Sequence, residues 1–133
     1  MKFMLMMHAT RGKGDWEVFN WPPADLKAHI EFMMGFNKEL TEQGALVGAE
    51  GLAGPPEARV VRAQKSGPPA VTDGPFPEAK EFLAGYWIVD CESPEKAYEI
   101  AGRASAAPGP GGTPLNMAIE VRQVMSGPPP TDM

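Results

Sequence analysis

Hydrophobic positions recur with two different spacings along the chain, and the change of spacing predicts where helix replaces strand. Residues 2–8 (KFMLMMH) are apolar on both faces, which is typical of a central strand that is covered on both sides. Over residues 23–43 the apolar side chains recur every three or four positions, which predicts an amphipathic helix. Gly44 is the expected end of that helix, because glycine is favoured just after a helix C-terminus.

Short β-prone segments separated by glycine and proline turns follow the long helix. They predict strands over residues 45–52, 58–64, 70–72, 85–91 and 116–124. A second helix is expected to begin at Ser93, with serine as its N-cap and Pro94 at the first helical position. Its small-residue face is expected to pack closely on a sheet and comprises Ala97, Ile100, Ala101 and Ala104.

The order strand, long helix, strands, helix, strand predicts an α+β, ferredoxin-like split β-α-β fold with an extra hairpin in the middle. The two helices cover one face of an antiparallel sheet. Strand alternation sends some of the large apolar side chains to the opposite face, and the sequence contains no third helix to cover them. We therefore expect a second copy of the chain to cover that face, giving a homodimer that packs sheet to sheet.

Composition narrows the class of protein further. The 133 residues fit one domain, over residues 1–125, with a disordered tail at 126–133. A net charge of −5 gives no electrostatic reason to expect nucleic acid or an anionic membrane surface as a partner. The apolar run at residues 3–7 is too short for a secretory signal or a membrane span. The single cysteine, Cys91, excludes an intramolecular disulfide, and we expect a cytoplasmic protein.

The run VTDGPFPEAKEFLAGYWIVDCES, residues 71–93, carries the most specific motif in the chain. In it a strand ends at Asp-Gly-Pro-Phe, a Lys-Glu pair follows, and Gly-Tyr opens the next strand. The residues are Asp73, Gly74, Pro75, Phe76, Lys80, Glu81, Gly85 and Tyr86. The run resembles the signature of the YCII-related family, DGPF-motif subgroup. The resemblance covers about residues 2–125 and includes Glu50, Gly51, Glu120 and Arg122.

This resemblance implies a dimeric α+β barrel, similar to muconolactone isomerase, and two alternative functions. Founding members of the family carry a His-Asp pair in a cleft and have been proposed as small-molecule enzymes. That implies a cofactor-free proton-transfer isomerase or lyase acting on a small aromatic or carbonyl compound. Many members of the subgroup are encoded near extracytoplasmic-function sigma factors, which implies instead a non-catalytic ligand-sensing or regulatory module. A dimeric interaction partner without a ligand is a third possibility.

Three residues are the candidates for proton transfer: Asp73, His8 and His29. An Asp before a glycine commonly forms the turn by bonding the backbone two residues on, so Asp73 has a structural alternative. His8 ends the first strand, where strand ends border clefts. His29 follows Asp25 by four residues on one helix face, so the carboxylate can orient the ring. An oriented imidazole is the usual general base.

The expected cleft lies between the long helix and the sheet, with Met33 in its wall and Asp73 as its polar anchor. Lys80 can fold back towards Asp73 if a helical turn begins at Pro77. The residues expected to contact substrate are Lys80, Phe76, Tyr86, Glu50, Arg122 and Trp16. No paired histidine spacing predicts a metal site, and no glycine loop followed by lysine predicts a nucleotide, so no cofactor is expected.

Overall fold

The computed structural model of the protein describes residues 1–10, 21–74 and 81–127. Its strands and helices, in chain order, are β1 (Lys2–Thr10), α1 (Pro23–Glu42), β2 (Leu46–Gly51), β3 (Arg59–Arg62), β4 (Ala70–Asp73), β5 (Glu81–Asp90), α2 (Pro94–Ser105) and β6 (Ile119–Gln123). Short 3-10 turns lie at Pro55–Glu57 and Pro110–Gly112. The predicted order of elements is confirmed, including the extra hairpin in the middle.

Four strands form one antiparallel sheet in the order β2-β5-β1-β6. β1 is therefore central, as its apolar sequence predicts. With the hairpin set aside, the strand order and the two helices are those of a ferredoxin-like α+β fold. The strands β3 and β4 form a separate two-stranded sheet, within residues 58–74, which we call the hairpin arm.

Both helices cover the same face of the four-stranded sheet. Alternate residues of β1, namely Phe3, Leu5 and Met7, point into this face and are buried with Trp87 and Val89 of β5. Helix α1 contributes Phe36 and Leu40 to the same core, and α2 contributes Ala97, Ile100, Ala101 and Ala104, the small-residue face expected from sequence. We call this the covered face, and the other side of the sheet the open face.

The helices begin and end where the sequence predicts. Pro22 precedes α1 and Pro23 is its first residue, and Gly44 follows its C-terminus with a left-handed φ of 72°. The Ser93 side chain caps α2 by accepting a hydrogen bond from the Lys96 backbone N–H. In both helices the residue types at the ends match the backbone geometry that each end requires.

Polar contacts hold the two helices to each other and to the sheet. Arg103 of α2 donates to Glu39 of α1, and its guanidinium lies 5.0 Å from the centre of the Phe36 ring. The hydrogen bond from Arg103 lowers the pKa of the Glu39 carboxyl below its usual value. The Trp87 indole N–H donates to the Asn37 side-chain oxygen at 2.8 Å, so the largest core side chain on β5 has its polar atom satisfied.

Strand β5 begins four residues earlier than the predicted start at Gly85 and contains a bulge. Met7 pairs with Gly85, but His8 pairs with Leu83, so Ala84 is an extra residue with no partner on β1. The Ala84 carbonyl instead accepts a hydrogen bond from the Leu52 N–H, just after β2. At Gly85 a Cβ atom would lie 2.9 Å from the Glu50 backbone oxygen, so only glycine lets β5 approach β2 this closely.

No helix within the described residues is both long enough and apolar enough to cross a membrane. The loop between α2 and β6 was predicted only as a break in secondary structure. In it the Gly109 N–H donates to the Thr113 carbonyl oxygen, and the Leu115 N–H donates to the Ala107 carbonyl oxygen. Residues 128–133, most of the tail predicted to be disordered, lie outside the described residues.

Candidate functional site

The open face of the sheet carries four of the residues that the sequence suggested for a site, namely His8, Glu50, Tyr86 and Arg122. Glu50, Tyr86, Met6 and Glu120 lie directly opposite one another on the four adjacent strands β2, β5, β1 and β6. The next row towards the start of β1 consists of Gly48, Ile88, Met4 and Arg122. The centre of the open face is therefore apolar and rich in methionine, and in these two rows the acidic and basic side chains stand on the two outer strands.

His8 stands on this face, at the end of the row of methionines. Its neighbours Met7 and Ala9 are buried, so strand alternation directs His8 to the other side of the sheet. The His8 Nε2 atom lies 3.0 Å from the Glu120 Oε1 atom, a hydrogen bond with the geometry of an ion pair when the ring is protonated. Glu120 is one step diagonal from His8, a distance that long side chains cross easily.

The bulge in β5 lies beside this pair. The pairing register shifts between Met7 and His8, so the bend that a bulge gives its own strand lies in β5, beside the histidine. Bulges are frequent next to active sites, because they re-aim the adjoining side chains. Here the skipped residue is Ala84, and Leu83 becomes the direct neighbour of His8.

The His8–Glu120 pair is partly open to solvent. The side chains of His8 and Glu120 are 29% and 52% exposed. Within the described part of the chain, the Nδ1 atom of His8 has no hydrogen-bond partner. An ionised Glu120 accepts a hydrogen bond from the Nε2–H group, which leaves the Nδ1 lone pair as the free base of the neutral ring.

His29 does not lie on this face. Its predicted pairing with Asp25 is wrong, since among the described residues its hydrogen-bond partner lies elsewhere. Its Nδ1 atom donates to the Pro108 carbonyl oxygen at 2.9 Å, and the Trp21 ring packs edge-on against it at 5.3 Å. The loop after α2 therefore supplies the partner that the i, i+4 spacing assigned to Asp25. His29 anchors this loop to α1.

Asp73 lies at the base of the hairpin arm and is 96% exposed. The expected turn bond to the backbone two residues on is wrong, because that residue is Pro75, which has no N–H. Instead, the carboxylate lies 3.8 Å from Arg59 on the paired strand, a weak surface ion pair. No contact among the described residues joins Asp73 to His8 or His29. The three predicted catalytic residues are thus not brought together.

The predicted position of the cleft, between α1 and the sheet, is also wrong. Met33 packs with the covered core, whereas His8 and Tyr86 belong to the open face, so the sheet separates them. Trp16, Phe76 and Lys80 lie outside the described residues, as does the proposed helical turn at Pro77. Glu81, the residue after Lys80, begins strand β5 and pairs with Thr10.

The sequence did not predict Glu120 as the partner of His8. Glu120 was named only as one of the residues that carry the family resemblance. The alternation of residues 119–123 was the available signal, since Ile119 and Val121 face the core and Glu120 must face away from it. The pairing register of β6 with β1 then brings Glu120 next to His8. No group of three or more His, Cys, Asp or Glu side chains in the described ranges has the arrangement of a metal site.

Two comparisons with known proteins bear on these residues. The family model of the YCII-related domain matches residues 1–111, which include His8, Glu50 and Tyr86 and end before Glu120 and Arg122. The uncharacterized protein R00369 of Rhizobium meliloti (strain 1021) is 35% identical over 68 residues, or 51% of each chain. The chain therefore spans about half the length of this curated relative.

Proposed function

We propose, for a chain that belongs to the YCII-related domain family, that the open face binds a small molecule and that His8, oriented by Glu120, transfers a proton. The reaction type is a cofactor-free isomerisation or elimination on a small aromatic or carbonyl compound. One observation carries the proposal: an imidazole held at 3.0 Å by a carboxylate at the edge of an apolar, methionine-rich surface. Such a pair has the parts of a general base and the group that orients it.

The proton moves at a defined atom of the ring. Glu120 holds the Nε2–H, so the Nδ1 atom takes a proton from a carbon next to a carbonyl group or an aromatic ring. The same imidazolium then returns the proton to another carbon in an isomerisation, or to a leaving group in an elimination. Glu120 stabilises the imidazolium between these steps, because the charges are opposite and close.

The remaining side chains of the open face suit such a ligand. Met4, Met6 and Ile88 form an apolar floor, and methionine adapts to ligands of different shape. Tyr86 lies opposite Met6 and gives the floor an aromatic edge with a hydroxyl group. Arg122 lies opposite Met4, where its guanidinium can hold a carboxylate or the oxygen that gains negative charge during proton removal.

We further propose that a second copy of the chain covers this face, sheet to sheet. Three strand spacings separate Glu50 from Glu120, so the floor is roughly 14 Å wide. No described helix lies on this side of the sheet, whereas both helices pack on the other side. A ligand bound between two such sheets would be shielded from water, which strengthens the interaction of His8 with Glu120.

The test is a thermal-shift screen of small aromatic acids, phenols and carbonyl compounds, with products identified by mass spectrometry. His8→Gln is expected to retain binding of a hit while turnover falls by about 10²- to 10⁴-fold, the usual contribution of general acid–base catalysis. Glu120→Gln is expected to lower kcat, because the ring then lacks the carboxylate that orients it. His29→Gln and Asp73→Asn are the controls, and both should turn over normally.

Two results would contradict the enzymatic assignment. Full turnover in His8→Gln would exclude this histidine as the base. A ligand that binds wild type and His8→Gln equally and is recovered intact would instead assign the open face to a ligand-sensing or regulatory module, as in a sigma-factor stress response.

A further inference from the structure

Tyr86 occupies, relative to His8, the position on β5 that Glu120 occupies on β6. Tyr86 and Glu120 both pair directly with Met6, so each lies one diagonal step from His8, on opposite sides of β1. Such a diagonal separates the Cα atoms by about 7–8 Å. On the β6 side the side chains span it, since Nε2 of His8 lies 3.0 Å from Oε1 of Glu120. A tyrosine side chain is longer than a glutamate side chain, so the Tyr86 hydroxyl can reach a group that is bound against His8.

The hydroxyl group of Tyr86 has no structural role in the described part of the chain. Its neighbours Gly85 and Trp87 are buried, and Tyr86 itself is half-buried on the open face. No hydrogen bond joins its hydroxyl to a described residue, not even to Glu50, which lies directly opposite on β2. Trp87 is different, because its indole N–H donates to Asn37. The Tyr86 O–H is therefore available to donate to a ligand.

Proton removal next to a carbonyl group needs a donor close to the base. In the proposed function, on which this step rests, the C–H bond breaks and its proton goes to Nδ1 of His8. The electron pair of that bond forms a carbon–carbon double bond, and the π electrons of the carbonyl group move to its oxygen. That oxygen is two bonds from the reacting carbon. A donor already in place there lowers the barrier, because it stabilises charge that develops in the transition state.

Arg122 is poorly placed for this task. It pairs with Met4, which lies four residues before His8 on β1, or about 13 Å along the strand. A ligand whose reacting carbon touches His8 would therefore meet Arg122 only with its distant end. The diagonal position of Tyr86 puts its hydroxyl much nearer to the reacting carbon.

We infer that Tyr86 is a second catalytic residue, whose hydroxyl donates a hydrogen bond to the oxygen that becomes negative while His8 holds the proton. The reverse step returns the proton to carbon and the negative charge disappears, so no oxidant or reductant takes part. This role narrows the substrate class to carbonyl compounds with an acidic C–H next to the carbonyl group. A compound without such an oxygen would leave the Tyr86 donor without a partner.

Binding of 4-nitrophenolate tests the donor without turnover, because its phenolate oxygen mimics the oxyanion. Calorimetry is done at a pH at which this phenol is ionised. Tyr86→Phe keeps the ring, and it should weaken binding about tenfold through the lost hydrogen bond to a charged oxygen. The matched control is Tyr98→Phe, which removes an exposed hydroxyl from α2 and should bind like wild type. Equal affinities of wild type and Tyr86→Phe, or no binding by wild type, would overturn the inference.

Kinetics on the carbonyl compounds of the thermal-shift screen separate this role from that of His8. Tyr86→Phe should lower kcat by about 10²- to 10³-fold with little change in KM, as for loss of one oxyanion donor. Its melting temperature should match that of wild type, since the hydroxyl has no partner among the described residues. Turnover that needs His8 but not the Tyr86 hydroxyl would overturn this inference and leave the proposed function intact. Nitrophenolate binding that needs the Tyr86 hydroxyl, without turnover of any compound, would contradict the proposed function and leave the donor assigned.

Discussion

The two faces of strand β1 are built from alternate residues of one short sequence, and they differ in almost every property. Phe3, Leu5 and Met7 are buried under two helices. Met4, Met6 and His8, the residues between them, lie on the open face beside glutamate and arginine side chains. One strand thus places the groups that stabilise the fold on one side and the groups capable of chemistry on the other.

This difference shows why the apolar character of β1 did not reveal which of its residues form the core and which form the candidate site. Methionine is suited both to a packed core and to an adaptable binding surface, so its presence alone does not distinguish the two. The covered face is recognised by complete burial, and the open face by the polar residues that lie opposite its methionines. Substitutions on the two faces should therefore differ in their effects on stability and on turnover.

Leu5→Ala should lower the free energy of unfolding by about 2–5 kcal/mol, because it removes a fully buried side chain and leaves a cavity. Met6→Ala, one residue further along β1 on the open face, is the matched control and should have a clearly smaller effect. Urea unfolding of both variants measures the difference. Equal losses would show that the two faces are equally important for stability.

Gly85→Ala should cost about 1–3 kcal/mol, because the new Cβ meets the Glu50 backbone oxygen at 2.9 Å and the strands must separate. Gly48→Ala is the control in the same pair of strands. Nothing lies within 4 Å of a Cβ at Gly48, so that change should be close to neutral. Thermal unfolding monitored by circular dichroism compares them. A neutral Gly85→Ala would mean that β2 and β5 have room to adjust.

His8→Gln should change the free energy of unfolding by no more than about 0.5 kcal/mol, as is usual for partly exposed positions. It should at the same time lower turnover by about 10²- to 10⁴-fold. Parallel urea unfolding and activity measurements therefore separate the two faces. A loss comparable to that of Leu5→Ala would make His8 a structural residue.

Glu39→Gln should produce the smallest change, and only above the acid range. Its hydrogen bond from Arg103 lowers the folded-state pKa below the usual 4.5, so the carboxylate stabilises the fold above that pH. The contribution disappears as the pH falls through the lowered pKa. The melting temperatures of wild type and variant should therefore converge in acid, and Glu31→Gln, on the same helix, is the control. A difference in melting temperature that persists in acid would show that ionisation of Glu39 is not what stabilises the fold.

Much of the fold could be predicted from local sequence signals. Ser93, Pro94 and Gly44 mark helix ends because their backbone and side-chain chemistry suits those positions, and the structure has the ends there. The start of β5 was missed because the Gly85-Tyr86 pair looked like a strand opening, whereas that glycine permits close approach within a continuous strand. Local propensity does not report such tertiary contacts.

The site was harder to predict, because it depends on register and on contacts across the chain. His8 and Glu120 are 112 positions apart, and only the pairing of β1 with β6 brings them together. The i, i+4 spacing of Asp25 and His29 was a real local signal, but the Pro108 carbonyl supplies the hydrogen bond instead. Asp73 was singled out by its motif, and its almost complete exposure is not visible in the sequence.

The bulge in β5 has a consequence for changes in chain length. Ala84 has no partner on β1, so a chain that lacked this one residue could keep every cross-strand pair between β1 and β5. The loss would fall on the hydrogen bond from Leu52 and on the bend beside His8. A single-residue deletion here would thus flatten the sheet while leaving its pairing intact, which makes Ala84 a place where curvature and pairing can be altered separately.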